Sequence, residues 1–380
     1  MKEIAIIGST GSIGTQALSV CALHADRFRV GALTAHTNAA LLFEQVRACR
    51  PRMAGLVVPP DEIPEDLRFC EWIFGEECLR AAATLPEAQY VLVSVVGFAG
   101  LSVVLSALKA QKQVLLANKE ALVAGGELVM EAARKAGKPI LPVDSEHSAV
   151  FQCLQGAADN KPSRIILTAS GGPFRSFAAK DIKNASVAQA LRHPNWAMGK
   201  KITIDSASMM NKALEVIEAK WLFAVEPKQI EVLIHKQSVV HSMVAFADGA
   251  LLAQLGVPDM RLPILYAMAY PERLPTGADA LSLEALSELS FEGVDAEKFP
   301  SLSLAYEALA SGGTACAILN AANEVAVQAF LQERISFGRM YEVTRDVLEK
   351  IEAVPAASLE AIEDADAKAR CMASKLCSYI

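Results

Sequence analysis

An apolar run near the start of the chain, Ile4-Ala5-Ile6-Ile7, breaks at once into Gly8-Ser9-Thr10-Gly11-Ser12-Ile13-Gly14. The three glycines fall at spacings of three and three, after a strand-like run and before an amphipathic stretch. Gly8 permits a tight turn, Gly11 lets backbone approach a phosphate, and Gly14 lets a following helix pack close to the strand. The helix start then presents N–H groups and the positive end of its dipole to an anion. A glycine-rich turn without a ligand is the plainer reading of such a loop. Its setting between strand and helix favours a dinucleotide pyrophosphate.

The pattern after this loop supports that fold. Strand-like runs recur at residues 4–8, 28–35, 54–58, 91–96, 114–117 and 140–143, with helical stretches at 13–24, 101–110 and 120–136. Such alternation specifies an α/β domain, a Rossmann-type doubly wound parallel sheet over residues 1–143. From Asp144 the texture changes. Helical runs at 148–156 and 207–223 flank strand-like runs at 164–169, 231–235, 239–247 and 251–255, the last two joined by Asp248-Gly249, a hairpin signal. We read 144–275 as an α+β central domain and 276–300 as a connector. The helical runs at 302–310, 314–334, 338–351 and 358–376 make residues 301–380 a small C-terminal helical bundle.

Charge and cysteine usage narrow the class. A net charge of −7 argues against a broad nucleic-acid-binding face. The eight cysteines include no C-x-x-C pair and sit among apolar neighbours, as thiols do in a reducing cytoplasm. The first strand leaves no room for a targeting segment. Residues 88–108 carry no charge and are long enough to span a bilayer. They read instead as a β-branched strand, a Gly97-Phe-Ala-Gly100 break and a packed helix, so no membrane association is expected.

Several polar groups stand out. At the end of the second strand, Thr34-Ala35-His36-Thr37-Asn38 has no carboxylate for the ribose 2′-OH of NAD and no Lys or Arg for a 2′-phosphate. Asp144-Ser145-Glu146-His147 follows a strand, and acids two apart on an extended segment point to one side. Asn211 and Glu215 share a helix face, with Lys212 three residues from Glu215. Oxygen donors such as Asp144, Glu146 and Glu215 suit Mg²⁺ or Mn²⁺ rather than Zn²⁺. Each has an ordinary alternative, a solvated turn or a surface ion pair. Ser170-Gly171-Gly172 forms a candidate anion nest at a strand exit. Trp196 sits in an irregular loop of the kind that covers ligands, and His241 is a candidate supporting residue.

The segments GSTGSIG, LLANKEALV, LPVDSEHSAVFQCL, TASGGPFR, RHPNWAMGKKITIDSASMMNKALEVIEA, HKQSVVHSMV, LAQLGVPDMR and LNAANEVAVQAFL together resemble the 1-deoxy-D-xylulose 5-phosphate reductoisomerase family. The resemblance implies a homodimer that uses NADPH and a divalent cation, Mg²⁺ or Mn²⁺, on a sugar phosphate. It implies cofactor contacts at Thr10, Gly11, Ser12, Ile13, Asn38, Asn118, Glu120 and Gly199. It makes Asp144, Glu146 and Glu215 metal ligands. It places Ser145, Ser170, His193, Trp196, Ser206, Asn211, Lys212 and Glu215 around the substrate. Lys119, Glu146, His193 and Lys212 are the catalytic candidates. At His36-Thr37 the family often carries a basic pair that this chain lacks. Two other readings stay open. One is a semialdehyde-dehydrogenase-like NADP enzyme with Cys153 as nucleophile; the other is a non-catalytic NADP sensor.

Overall fold

The computed structural model describes residues 1–158, 160–196 and 198–378. In chain order it runs β1 (Lys2–Ile7), α1 (Ser12–Leu23), β2 (Phe28–Ala35), α2 (Ala39–Cys49), β3 (Met53–Leu56), β4 (Glu71–Phe74), α3 (Glu77–Ala83), β5 (Tyr90–Val93), α4 (Gly100–Lys109), β6 (Gln113–Leu116), α5 (Lys119–Ala136) and β7 (Leu141–Pro142). There follow α6 (Ser145–Leu154), β8 (Arg164–Ala169), α7 (Ala179–Ile182), α8 (Val187–Ala190), α9 (Lys200–Ala207), α10 (Met210–Phe223), β9 (Ile230–Ile234), β10 (Val240–Ala245) and β11 (Leu251–Leu255). The remainder is α11 (Arg261–Ala269), α12 (Leu283–Leu286), β12 (Glu292–Gly293), α13 (Ser301–Ser311), α14 (Ala315–Leu331), α15 (Phe337–Lys350) and α16 (Leu359–Leu376).

The chain divides into two compact units. The first comprises Met1–Ala121, Val129–Ser148 and Asp259–Asp279, and the second Leu122–Leu128, Ala149–Pro258 and Ala280–Ile380.

The first unit is built on a seven-stranded sheet of order β4-β3-β2-β1-β5-β6-β7, parallel throughout. Ile4 to Ile7 of β1 and Val91 to Val93 of β5 are fully buried, because helices cover both faces of such a sheet. That explains the long uncharged run through β5 and α4. Among the described residues no helix is long and apolar enough to cross a membrane. The strand order reverses between β1 and β5, the place where doubly wound sheets bind ligands. Four elements here were not picked out from the sequence: α2, β4, α3 and α11. β4 is a four-residue edge strand, too short to show a period. The expected central domain includes 259–275 and the expected connector 276–279, yet both belong to the first unit and α11 packs on α1. The Lys2 ammonium donates to the carbonyls of Met268, Ala269 and Tyr270 at 2.9, 3.2 and 3.3 Å, capping the end of α11 with a positive charge.

The second unit holds a five-stranded mixed sheet, β11-β10-β8-β9-β12. β8 and β9 run parallel; every other pair is antiparallel, and Gly249 in the β10–β11 turn has φ 90°. One core joins this sheet to α10, α13 and the start of α14, through Ile165, Leu167, Ile217, Leu304 and Leu319. A second core gathers Phe174, Ile204, Ile318, Phe330 and Val343 around α14 to α16. The C-terminal helices expected from the sequence are present, and α14 serves both cores. The helix expected at 207–223 is α10, which starts later, at Met210, and α9 before it is a separate helix ending at Ala207 that the sequence pattern did not bring out. The break falls at Met209, whose φ of 61° lies in the left-handed region.

α5 departs from helical geometry at Gly125 (φ −128°, ψ 28°). Beside it, a Cβ on Gly126 would lie 2.3 Å from Trp221 Cδ1, so only glycine lets the indole pack there. Gly126→Ala is expected to destabilise the fold by about 1–3 kcal/mol through overpacking. Urea denaturation checks this; an unchanged midpoint would mean that Trp221 swings aside without cost.

Candidate active site

In the first unit the glycine loop leaves β1 next to β5. A Cβ on Gly8, which has φ 91°, would lie 2.9 Å from Ser94 O, and one on Gly14 would lie 2.4 Å from Gly8 O. Gly11, the N-cap of α1, supplies no side-chain cap, so the first N–H groups of the helix face an anion site rather than a capping oxygen. Thr10 is half-buried, Gly11 and Ser12 are exposed, and Ile13 is half-buried. His36, Thr37 and Asn38 are exposed beyond the end of β2. Asn38 caps α2 by accepting from Leu41 N at 3.2 Å, so its amide nitrogen is not part of that bond.

Asn118 is a second capping residue. Its Oδ1 accepts from Ala121 N at 3.0 Å. Its Nδ2 donates to Val95 O, Gly97 O and Glu120 Oε2. Both Asn118 and Glu120 are buried. Together they lock the start of α5 beside the end of β5.

Asp144 follows β7 and holds together most of the remaining candidates in this unit. Its Oδ2 lies 3.0 Å from Lys119 Nζ, a largely buried ion pair. Its Oδ1 accepts from Glu146 N at 3.1 Å, and His147 Nδ1 lies 3.2 Å from that same oxygen. Ser145 Oγ donates to Glu146 Oε2 at 2.6 Å. Carboxylate oxygens of Asp144 and Glu146 approach within 4.8 Å. The acids do not converge along an extended segment as expected; Glu146 lies in the first turn of α6 and Asp144 accepts its N–H. Two carboxylates this close concentrate negative charge, which a bound cation would offset. The fully buried His147 was not singled out from the sequence. Its spacing of three from a helix-starting Asp was the available signal.

In the second unit, Ser170 closes β8 and turns into Gly171 and Gly172, with φ of 79° and 62°. Ser170 Oγ accepts from Gly172 N at 3.1 Å. His193 Nδ1 accepts from Asn195 N at 3.2 Å and Trp196 N at 2.9 Å. The ring proton therefore sits on Nε2, which lies 3.2 Å from Ser170 Oγ and donates to it. With both lone pairs engaged, the Ser170 hydroxyl has its own proton to offer an anion. Burial pulls the His193 pKa down to about 4, so the ring stays neutral near pH 7.

The loop that carries Trp196 is tied down at Asn195, whose Nδ2 donates to Ser238 Oγ at 2.6 Å and to Lys236 O at 3.1 Å. Trp196 is half-buried and tilts against His241, with centroids 6.3 Å apart. Burial likewise pulls His241 down to about 4. Ala197 of this loop lies outside the described residues. Gly199 heads α9 and offers no side-chain cap.

Ser206 lies in the last turn of α9, and a Cβ on Gly172 would sit 2.9 Å from Ser206 O. The serine and the Ser170 turn are therefore packed together. The left-handed Met209 then starts α10, again without a side-chain cap. Asn211 Nδ2 donates to Glu215 Oε1 at 2.5 Å, and the Lys212 ammonium donates to Glu215 Oε2. Lys212 and Glu215 are 3% and 1% exposed, which excludes the surface-pair reading.

Family models agree with this arrangement. One described as 1-deoxy-D-xylulose 5-phosphate reductoisomerase matches residues 4–126. The C-terminal domain models of the same family match 140–223 and 255–372. The enzyme of that name from Ralstonia nicotianae is 50% identical, over 97% of this chain and 96% of its own. That from Pelotomaculum thermopropionicum is 51% identical, over 99% and 98%. The chain belongs to the 1-deoxy-D-xylulose 5-phosphate reductoisomerase family. A solved reductoisomerase structure in complex with NADPH, fosmidomycin and magnesium matches with a TM-score of 0.93 and 41% identity, over 99% of this chain and 98% of that one. The reductoisomerase from Zymomonas mobilis in complex with NADPH matches with a TM-score of 0.91 and 40% identity, each chain being fully covered.

Family membership removes the semialdehyde-dehydrogenase alternative, and the structure gives the physical reason. Cys153 is buried in the apolar core, which pushes its thiol up to about 11, whereas such a nucleophile must ionise readily.

The neutral histidines generate a prediction. Their folded pKa values lie below that of a free imidazole, so stability from burying them neutral is full above about pH 6.5 and is lost as pH falls toward 4. The pH profile of kcat/KM is expected to show no ionisation of His193 or His241 between pH 5 and 8. An inflection near 6.5 that His193→Gln abolishes would contradict the assigned tautomer.

Proposed function

We propose that this reductoisomerase converts 1-deoxy-D-xylulose 5-phosphate to 2-C-methyl-D-erythritol 4-phosphate with NADPH and a divalent cation, in the non-mevalonate route to isoprenoids. The observation that carries this reading is the acid pair Asp144 and Glu146, held beside Lys119 in the unit whose β1 turn is open to a pyrophosphate.

Thr10, Gly11, Ser12, Ile13, Asn38, Asn118, Glu120 and Gly199 would hold NADPH. The glycine loop fits it through uncapped N–H groups, and the lack of an acid at 36–38 fits NADPH better than NADH. Asp144, Glu146 and Glu215 would hold the cation. All three are oxygen donors, which suits Mg²⁺, the ion of the magnesium-bound relative, and also Mn²⁺. When bound, the cation supplies Lewis-acid polarisation of the substrate carbonyl and NADPH supplies hydride.

The chain's own groups do the rest. Ser170, Ser206, Asn211 and Lys212 grip the phosphate, with Ser170 donating the proton that His193 Nε2–H and Gly172 N–H leave pointing outward. Ser145 contacts the substrate beside Glu146. Lys119 and Lys212 place ammonium charge where negative charge develops on oxygen. Trp196 covers the bound substrate and excludes water, and His193 orients both Ser170 and the Trp196 backbone.

The test mixes the protein with 1-deoxy-D-xylulose 5-phosphate, NADPH and Mg²⁺ and follows the reduced cofactor by absorbance. Absence of metal-dependent oxidation would refute the activity. Glu215→Gln is expected to lower kcat at limiting Mg²⁺ by about 10–100-fold, in a chain that still folds but melts at a lower temperature, because the buried Lys212 loses its charge partner. Full activity at limiting Mg²⁺ would remove Glu215 from the metal set.

The working form is proposed to be a cytoplasmic homodimer. β11 is an edge strand with Leu251 51% and Leu252 42% exposed, a surface suited to a second copy of the chain. Leu251→Lys with Leu252→Lys should halve the mass measured by light scattering. A double variant of unchanged mass would put the dimer contact elsewhere.

A further inference from the structure

Helix α14 carries two asparagines in an otherwise apolar stretch, Leu319-Asn320-Ala321-Ala322-Asn323, and none of the functional roles above uses them. Both are buried, Asn320 fully and Asn323 at 3% exposure. A buried amide has to find partners; Asn320 finds one within α14 and Asn323 one on α9.

Asn320 Nδ2 donates to Glu324 Oε1 at 3.0 Å. Arg370 of α16 binds Glu324 Oε2 at 2.6 Å and also Asp366. This network fixes the rotation of α14 about its own axis. Asn323 Nδ2 donates to Asp205 Oδ1 at 2.9 Å. Asp205 is 1% exposed, and its second oxygen lies 2.8 Å from Lys201 Nζ, one turn back in α9. Both oxygens of a buried carboxylate are thus engaged, one by a neighbouring helix and one by its own.

Asp205 is next to Ser206 in the last turn of α9. That turn has little freedom. Ser206 O accepts from Met209 N at 3.2 Å and abuts Gly172. Ser208 Oγ donates to Asp205 O at 3.2 Å, and Met209 O accepts from Ala213 N at 3.0 Å in α10. A rotation of Asp205 would carry Ser206 with it and tilt the start of α10, where Asn211 and Lys212 stand. A buried polar pair adds little net stability over apolar packing of similar size, but its directional bonds select one geometry.

We propose that Asn323, acting through Asp205, is a positioning residue for the substrate's phosphate group. It sets the rotation of the last turn of α9 and thereby the direction of the Ser206 hydroxyl. The inference rests on the reading of Ser206 as a phosphate contact.

The experiment measures steady-state kinetics of the full chain with NADPH and Mg²⁺, together with competitive inhibition by inorganic phosphate. Asn323→Ala should raise KM for the sugar phosphate and the inhibition constant for phosphate together, by about 10-fold, as expected for losing a charge-assisted bond. kcat and KM for NADPH should change by less than about 3-fold. Asn323→Asp sets two carboxylates against each other and should be worse. Asp205→Asn combined with Asn323→Asp re-forms the bond in reverse and should regain most of the phosphate affinity.

Ser206→Ala separates the two claims. If it weakens phosphate inhibition while Asn323→Ala does not, the positioning role is wrong and the phosphate reading stands. If neither variant responds, the phosphate reading falls and takes the positioning role with it. Loss of folded protein in both Asn323→Ala and the reversed pair, or a fall in kcat alone, would make the pair scaffold only and overturn the proposal.

Discussion

A carboxylate withdrawn from water must have its oxygens met by opposite charge or by hydrogen-bond donors. Asp144, Asp205 and Glu215 all carry that obligation, and the way it is met shapes each unit. Asp144 draws in Lys119 and the start of α6. Glu215 draws in Asn211 and Lys212 on one face of α10. Asp205 draws in its own helix and α14. None of these groups can move without leaving a charge uncompensated, so the polar side chains are held before any ligand arrives. Such preorganisation is what a reaction that builds charge on oxygen requires.

The proposed phosphate grip rests on a different arrangement of bonds. Ser170 has a fixed supply of lone pairs, and Gly172 N–H and His193 Nε2–H use both. What remains is one outward proton, a donor with no competing acceptor role. The neutral state of His193 follows from burial, and its tautomer from two backbone N–H groups of its own loop. The loop that bears Trp196 is consequently wired to the anion site through one imidazole. In the proposed function, covering the substrate and orienting a phosphate donor would be linked by that ring.

How much of this was legible in the residues differs by level. Phe28–Ala35, Arg164–Ala169 and Leu251–Leu255 were read with their observed bounds, because turn residues bracket each one. The glycine loop was legible because its three roles are steric and local. β4 was not, being too short to show a period, and α11 was not, since its place in the first unit depends on α1, far away in sequence. Asp144 and Glu146 were matched as a pair for the wrong geometric reason; the turn from β7 directly into α6 left no mark in their spacing. Met209 carries no signal of a left-handed residue, so the expected start of α10 fell at Ala207 instead of Met210, and α9 went unread. Asn323 was least visible, because its partner lies 118 positions away.

The capping of α11 by Lys2 has a consequence for how the protein is made. The face of α1 is completed by a segment that begins at Asp259. Translation adds about 5–20 residues per second, so after Ser148 emerges several seconds pass before that segment exists. During this interval the nascent sheet has its strands but lacks the helix that covers α1, and the Lys2 ammonium has no helix end to hold. The N-terminal unit is thus completed only after most of the second unit has been synthesised, and an incomplete chain ending before Asp259 presents an apolar surface of the kind chaperones bind.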